Sequence, residues 1–439
     1  MKPHPRSDAL QQVSLDVYWN TQKSGTQLAL PFLTPKVGVL QQMPYEGLMF
    51  QYDETYIRQQ GRAISFNLPL QSEPYMGQAV EAFFAGLLPD DKELKTIAKG
   101  LGLSDKNTFG LLYDLGRDCA GALSLVPEDD TPLLPREVTD TLEYLKKLQE
   151  YPLLPQETGV RLSMAGAQRK LALRYEEDTQ TFSLGIPSTH IVKPSIPGFH
   201  FSVLNEYFCM QLAKQCGLKT PSTYLVSVEG EPYYVVTRYD RKWFNPQTCI
   251  RLHQEDFCQA LGCLPYRKYQ REGGPSLAEC FNLLTQATSN PLKDKKDFRL
   301  RVIFNYLIGN YDAHGKNFSL LYDERGIKRR LAPVYDVLST AIYPQLSSKM
   351  AMKIGSKYHP QEVQWHHWCT LYGDNPSAKR LAQREITAFT RLVCSASEKL
   401  STTLPHPFRH QSETTDFLKA LHQLIITNAQ RLLGRISTF

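Results

Sequence analysis

Gly309-Asn-Tyr-Asp-Ala-His-Gly-Lys-Asn317, with Val334-Tyr-Asp336 after it, is the sharpest chemical signal in the chain. Ahead of it, Phe298, Val302, Ile303, Tyr306 and Leu307 recur at the spacing of one buried helical face, so the loop carrying Asp312 starts where a core helix stops. Behind it, Phe318 to Tyr322 and Leu331 to Tyr335 read as two strands joined through Asp323-Glu-Arg-Gly326. A hairpin returns on itself, and this one brings Asn317 at its entrance close to Asp336 at its exit.

That arrangement suits phosphoryl transfer. The reaction needs little covalent help from protein; it needs Mg²⁺ held against phosphates by hard oxygen ligands, and a carboxylate that accepts the proton of the attacking hydroxyl. Asp312, four intervening residues, Asn317 and a later Asp336 follow the order of base, first metal ligand and second metal ligand used by protein kinases. A carboxamide at Asn317 supplies a metal oxygen without adding a third negative charge. Taken singly, Asp312 and Asn317 are ordinary turn residues and Asp336 an ordinary helix cap. Their combination around one hairpin is what favours chemistry. His314 either touches a phosphate or satisfies the backbone of its own loop, and both roles stay open at this point.

Kinases place a strand lysine on the α and β phosphates and orient it with a helix glutamate. His190-Ile-Val-Lys193 ends a strand, and Glu206 lies in the next helix, Val203 to Cys216, which stops at Gly217; Lys193 and Glu206 are the natural ion pair. Neither G-x-G-x-x-G nor G-x-x-x-x-G-K-[ST] occurs. Leu162-Ser-Met-Ala-Gly-Ala-Gln-Arg-Lys170 precedes a strand instead, and its small Ala165, Gly166 and Ala167 let backbone N–H groups approach phosphates closely. A tight structural turn is the competing explanation for that stretch.

Outward from this centre the chain divides. At 439 residues it exceeds the roughly 250 to 300 that one hydrophobic core serves. Residues 14 to 70 alternate apolar and polar positions, as in Ala63-Ile-Ser-Phe-Asn-Leu68, and predict a small antiparallel sheet followed by a helix around Gly77 to Leu88. From Asp90 to Leu148 the pattern is helical, interrupted at Pro127 to Pro135 by an exposed connection. Short strands then recur at Leu171 to Arg174, His190 to Lys193, Thr223 to Val228 and Tyr233 to Arg238, and beyond Arg251 the chain is mostly helical. The expected architecture is α+β, a two-lobed kinase-like fold, with a β-rich subdomain over residues 1–130, an ATP-binding lobe over 131–250 and a helical lobe with the catalytic loop over 251–439.

Composition narrows the class further. With 42% apolar and 21% charged residues the chain is a folded globular protein, not a disordered one. A net charge of +6 permits a nucleic-acid or acidic partner without establishing one, and Lys293, Lys295, Lys296 and Lys328, Arg329, Arg330 read as solvated faces. No run approaches the roughly 18 apolar residues of a membrane span, and the polar start, Met1 to Gln11, predicts a cytoplasmic protein. Nine scattered cysteines without a C-x-x-C pair signal neither a disulfide frame nor a zinc site; they read as reduced, mostly buried thiols.

The residues resemble the HipA toxins of bacterial toxin–antitoxin modules, serine/threonine protein kinases, over nearly the whole chain. The resemblance is carried by Ser65-Phe-Asn-Leu-Pro-Leu70, Phe83-Phe-Ala-Gly-Leu-Leu-Pro-Asp90 and Gly116-Arg-Asp-Cys-Ala-Gly121. It continues through the Ser163 to Lys170 loop, His190 to Lys193, Asn205-Glu206, Arg251-Leu-His-Gln-Glu-Asp256, Gly273-Gly-Pro-Ser276 and the Asp312 loop. It implies Asp312 as base, Asn317 and Asp336 as Mg²⁺ ligands, Lys193 as the phosphate lysine supported by Glu206, and Ala165, Gly166, Ala167, Gln168, Arg169 and Lys170 as the ATP loop. Thr237, Arg238, Tyr239, His314, Lys316 and Tyr335 complete the ATP contacts it implies. Ser163 matches the serine that HipA kinases phosphorylate on themselves, silencing the enzyme; charge repulsion beside an ATP phosphate gives a physical reason. Val236-Thr-Arg-Tyr-Asp-Arg241 departs from the expected Val-Glu-Arg-Phe-Asp-Arg, but adenine contacts there come from backbone groups, which Thr237 and Tyr239 still provide.

The resemblance also implies partners: a HipB-type helix-turn-helix antitoxin, operator DNA reached through the antitoxin complex, and a protein substrate among translation components, with an aminoacyl-tRNA synthetase as the precedent. This chain shows no helix-turn-helix pattern of its own. Two other readings compete, a small-molecule phosphotransferase using a similar Asp, Asn, Asp set and a nonenzymatic co-repressor.

Overall fold

A computed structural model describes residues 14–19, 36–44, 47–127, 170–176, 179, 181–183, 188–245, 248–403 and 412–436. The chain divides into two compact units. The first takes its residues from the chain up to Ile191, from Asp240–Tyr266 and from Leu321–Arg329; the second takes Val192–Tyr239, Arg267–Leu320 and the chain from Arg330 onward.

The first unit opens on the expected antiparallel sheet. Strands β1 (Ser14–Trp19), β2 (Gly38–Met43) and β3 (Gly47–Tyr52) pair in sequence, with helix α1 (Glu54–Arg58) and the short β4 (Tyr75–Met76) following. Alternation decides which face is inside: Leu15, Val17, Leu40, Leu48 and Phe50 are buried on the same side as helix α2 (Gln78–Ala85), whose Val80, Phe83 and Phe84 join them in one core. Helices α3 (Asp91–Leu101) and α4 (Thr108–Leu115) add Ala98, Leu111 and Leu112.

One expectation fails here. Leu123–Pro127 falls in a region whose pattern reads as helical, yet it forms β5, pairing antiparallel with β1 to give the order β4-β3-β2-β1-β5. Tertiary pairing overrides local propensity, because Leu123 and Leu125 complete the buried face that β1 presents. The connection expected at Pro127 to Pro135 lies almost wholly outside the described residues.

Strands β6 (Leu171–Glu176) and β7 (Thr181–Ser183) form a hairpin in the first unit, and β8 (His190–Lys193) leads the chain into the second. There helix α5 (Ser202–Gln215) is followed by the hairpin β9 (Thr223–Val228) and β10 (Glu231–Thr237). Glu229 and Gly230, at φ 50° and 88°, make the left-handed turn that two-residue hairpins require.

The chain then returns to the first unit as β11 (Arg241–Asn245), β12 (Thr248–Arg251), β13 (Gln254–Asp256) and the single-turn α6 (Phe257–Ala260). This segment carries the Arg251 to Asp256 motif, and three of its buried polar residues, Arg251, His253 and Glu255, are tied to the N-terminal region. Arg251 donates to the carbonyls of Cys119, Gly121 and Leu123 and to Ser124 Oγ, at 2.6 to 3.1 Å. Glu255, fully buried, accepts from Ser65 Oγ at 2.6 Å, Phe66 N at 2.9 Å and Tyr322 Oη at 2.5 Å. Asp256 caps α6 in a reciprocal box with Gln259.

His253 completes this network and makes the first unit acid-sensitive. Its Nε2–H donates to Ile64 O at 2.7 Å, whereas its buried Nδ1 has no hydrogen-bond partner among the described residues. Burial, and then the neighbouring Arg251 guanidinium, pushes its pKa down from 6.5 to about 4. A base whose folded pKa is depressed contributes stability that is present above pH 6.5 and is lost as pH falls toward 4. Moving from pH 7 to pH 5 should therefore cost about 2 kcal/mol through this one residue. Urea unfolding at the two pH values checks it: His253→Gln, which keeps a donor for Ile64 but takes up no proton, should remove about that much of the acid loss.

The remaining chain builds the second unit from helices α7 (Leu277–Ala287), α8 (Pro291–Ile308), α9 (Trp365–Cys369), α10 (Pro376–Thr402) and α11 (Ser412–Ile436). Central among them is α8, which contacts α7, α10 and α11 and is buried at Phe298, Val302, Ile303, Tyr306 and Leu307, the face its sequence predicts. After α8 come β14 (Ser319–Tyr322) and β15 (Arg329–Leu331). The second strand is shorter than expected: Pro333 has no N–H, and Val334 N donates to Lys219 O at 2.7 Å instead of continuing the ladder. All nine cysteines are free thiols and most are buried. Among the described residues, no helix is long and apolar enough to cross a membrane.

Candidate active site

Lys193, the last residue of β8, reaches two carboxylates of the second unit at once. Its Nζ lies 2.7 Å from Glu206 Oε1 and 2.7 Å from Asp336 Oδ1. The lysine side chain is 6% exposed and that of Glu206 2%, while Asp336 retains 35%, so the pair is sealed on one side and open on the other. Burial alone would push the ammonium toward neutrality, but Asp336 and Glu206 overcome it and hold the pKa above the ordinary lysine value. The group is a fixed positive charge.

The helix that carries Glu206 also braces the segment after Asp336. Asn205, fully buried, donates from Nδ2 to Ser339 O at 2.9 Å and accepts at Oδ1 from Ser339 N at 2.8 Å. Asp336 itself has φ 54°, a left-handed conformation that costs energy for a residue with a side chain and that this bracing sustains.

Asp312 is positioned by the end of α8. Gly309 caps that helix at φ +68°, a conformation glycine adopts without strain, and its carbonyl accepts from Thr340 N and Ala341 N at 3.0 and 2.9 Å. Tyr311 N donates to Thr340 Oγ1 at 2.8 Å, and Asp312 N to Asn310 Oδ1 at 3.1 Å. A single 3₁₀ turn follows at Gly315–Asn317, and Asn317 Nδ2 donates back to Asp312 O at 2.9 Å. That bond commits the amide nitrogen and leaves Asn317 Oδ1 as an oxygen donor. The Asp312 carboxylate accepts from Tyr269 Oη at 2.6 Å.

Asn317 and Asp336 line one cavity, together with Arg301, Asn310, Ala313 and Tyr335. Among the described residues no cluster of three or more His, Cys, Asp or Glu side chains could cage a metal. Mg²⁺ in phosphoryl transfer takes only one or two protein oxygens and fills the rest of its shell with phosphate and water, so one carboxylate and one carboxamide oxygen are the fitting donor set.

Of the other residues singled out in the sequence, Tyr239 and Tyr335 come together, ring centroids 5.7 Å apart. Tyr335 Oη donates to Lys316 O at 2.7 Å and shares a hydrogen bond with Ser319 Oγ at 2.6 Å, so it braces the loop as well as facing the cavity. His314 and Lys316 are buried, and the His314 ring stands edge-on to Tyr269 at 5.2 Å. Thr237 closes β10, its N–H donating to Ser222 O at 2.9 Å, and Arg238 beside it is buried. Lys170 immediately precedes β6. Ser163, Ala165, Gly166, Ala167, Gln168 and Arg169 lie outside the described residues. Sequence reasoning missed Tyr269 and Arg301 and named Asn205 without giving it a role. For Tyr269 a signal was present in Gly273-Gly-Pro-Ser276, which marks a constrained loop directly after it.

Two family models together match most of the chain. Residues 33–126 match the HipA N-terminal domain and residues 162–399 the HipA-like C-terminal domain. The candidate kinase Y4mE of Sinorhizobium fredii is 39% identical over 380 residues, 84% of this chain and 89% of that protein. The serine/threonine-protein kinase toxin HipA of Shewanella oneidensis is 29% identical over 394 residues, covering 86% of this chain and 89% of the toxin. A solved structure of the Shewanella HipA, HipB and operator DNA complex contains a chain that superposes with a TM-score of 0.81 at 25% identity, over 97% of this chain and 98% of that one.

Proposed function

The chain belongs to the HipA family of serine/threonine kinases, and from that membership and the site geometry we propose that it transfers the γ-phosphoryl group of ATP to a protein serine or threonine as the toxin of a toxin–antitoxin pair. The observation that supports this most is the convergence of Lys193, Glu206 and Asp336 at 2.7 Å, with Asn317 lining the same cavity as Asp336. In this reading Lys193, oriented by Glu206, binds phosphate oxygens. Asn317 and Asp336 would hold Mg²⁺, which when bound neutralises charge on the triphosphate. Asp312 accepts the proton of the acceptor hydroxyl while its oxygen bonds to the γ-phosphorus, the bond from that phosphorus to the bridging oxygen breaks, and ADP leaves. Thr237, Arg238 and Tyr239 serve the adenine side, and His314, Lys316 and Tyr335 the phosphate side.

The functional division that follows assigns residues 1–130 to an N-terminal subdomain, 131–250 to the nucleotide-binding lobe and 251–439 to the helical lobe with the base. Shewanella HipA is seen with HipB and operator DNA, and the likeness of this chain to it supports a HipB-type antitoxin as partner, with DNA reached through that complex in the cytoplasm. The target class is a translation component, an aminoacyl-tRNA synthetase being the family precedent.

Incubation with radiolabelled ATP and Mg²⁺, followed by peptide mapping, tests the reading. Label should appear on Ser163, and Ser163→Ala should abolish that label while still phosphorylating an added protein substrate. Unlabelled wild-type protein beside an active control kinase, or label passing only to small metabolites, would overturn it.

A further inference from the structure

The Asp312 carboxylate has two oxygens, and the protein uses them unequally. Oδ1 accepts from Tyr269 Oη at 2.6 Å, a short bond to a charged acceptor, while Oδ2 has no protein donor among the described residues. We propose that Tyr269 is a positioning residue for this reaction: by holding Oδ1 it fixes the rotation of the carboxylate and presents Oδ2 to the acceptor hydroxyl. The proposal rests on the reading of Asp312 as base.

Tyr269 is built to be immobile. Its carbonyl accepts from Glu272 N and Gly274 N, both at 2.9 Å, closing a tight loop. A side chain at Gly274 would stand 2.3 Å from Arg267 O and 2.6 Å from the Lys268 backbone, so only glycine permits that closure. Gln270, the next residue, is pinned on both sides, its N–H donating to Ala351 O at 3.1 Å and its Oε1 accepting from Lys353 N at 2.7 Å. The ring is clamped too, with the His314 ring edge-on at 5.2 Å and the Arg271 guanidinium over its face at 5.1 Å. His314 belongs to the catalytic loop itself, and Gly315 N of that loop donates to Lys268 O at 3.4 Å. A phenol fixed from both its own loop and the base's loop can restrict a carboxylate, whereas a mobile one would not.

The chemical reason for such a device is geometric. A general base works only when its lone pair meets the proton in a productive pose, and a carboxylate free to rotate about its terminal bond spends much of its time elsewhere. Anchoring one oxygen removes that freedom before substrate arrives.

Tyr269→Phe keeps the ring and its clamps and deletes only the hydroxyl. It should lower kcat for transfer to protein about tenfold, equivalent to about 1.4 kcal/mol, with the KM for ATP and the melting temperature unchanged. A merely structural tyrosine would lower the melting temperature and leave kcat unchanged. The decisive arm is a cycle with Asp312→Asn: once the base is gone, adding Tyr269→Phe should cost no further rate, because the phenol acts only through the carboxylate. Full kcat in Tyr269→Phe, additive losses in the cycle, or phosphate found on Tyr269 itself would each overturn the proposal. If instead Asp312→Asn alone keeps wild-type activity, the assignment of the base fails first, and the two failures are told apart.

Discussion

Asp312→Asn is expected to reduce phosphoryl transfer to protein by about 10² to 10⁴-fold, the range over which a positioned general base contributes. In energy that is about 3 to 5 kcal/mol of transition-state stabilisation. The substitution preserves shape, and its side-chain oxygen still accepts from Tyr269 Oη, so the loop should keep its form. The backbone bonds that shape the loop, from Asn317 Nδ2 to Asp312 O and from Asp312 N to Asn310 Oδ1, do not involve the group that is changed. ATP affinity and melting temperature should therefore match wild type, and rapid-quench measurement at saturating ATP isolates the lost step. Activity within threefold of wild type would mean that another group takes the proton.

Lys193→Met should act on stability and activity together, for separate reasons. Removing the ammonium takes away the cation 2.7 Å from Oε1 of Glu206, whose side chain is 2% exposed, and 2.7 Å from Asp336 Oδ1. Breaking a buried pair by removing one partner costs about 3 to 5 kcal/mol. Denaturant unfolding should show that loss. The double variant Lys193→Met with Glu206→Leu should recover much of it, since both buried charges are then absent and the space is filled by apolar atoms. Catalysis should not recover, because the cation that binds phosphate is still missing. Recovery of activity in the double variant would show that Lys193 serves the fold alone.

The parts of this site that could be read before the structure share one property: their partners are close in sequence or are related by a simple reversal. Asn317 and Asp336 line one cavity from the two ends of a hairpin, and Lys193 pairs with Glu206 from the strand and helix that adjoin in sequence, so strand and helix periodicity was enough to place each pair together. Tyr269 reaches Asp312 across 43 residues with no pattern linking the two. Arg251 and Glu255 belong to a charged motif, yet their partners include Cys119 to Ser124 and Ser65-Phe66, more than a hundred residues away, and Tyr322, and their work is to hold the first unit together. A charged motif shows that charge is needed; only the location of its partners shows whether chemistry or architecture needs it. β5 was hidden for a related reason, since Leu123 and Leu125 become strand residues only because β1 offers a buried edge.

Nucleotide binding that depends on a divalent ion through Asn317 and Asp336 is the feature on which the rest of the mechanism stands. Calorimetric titration with a nonhydrolysable ATP analogue, with and without Mg²⁺, measures it directly in wild type, Asn317→Ala and Asp336→Asn. Mg²⁺ should tighten binding strongly in wild type and much less in either variant. Equal tightening in all three proteins, or none in wild type, would contradict the assignment of these two oxygens as the metal's seat.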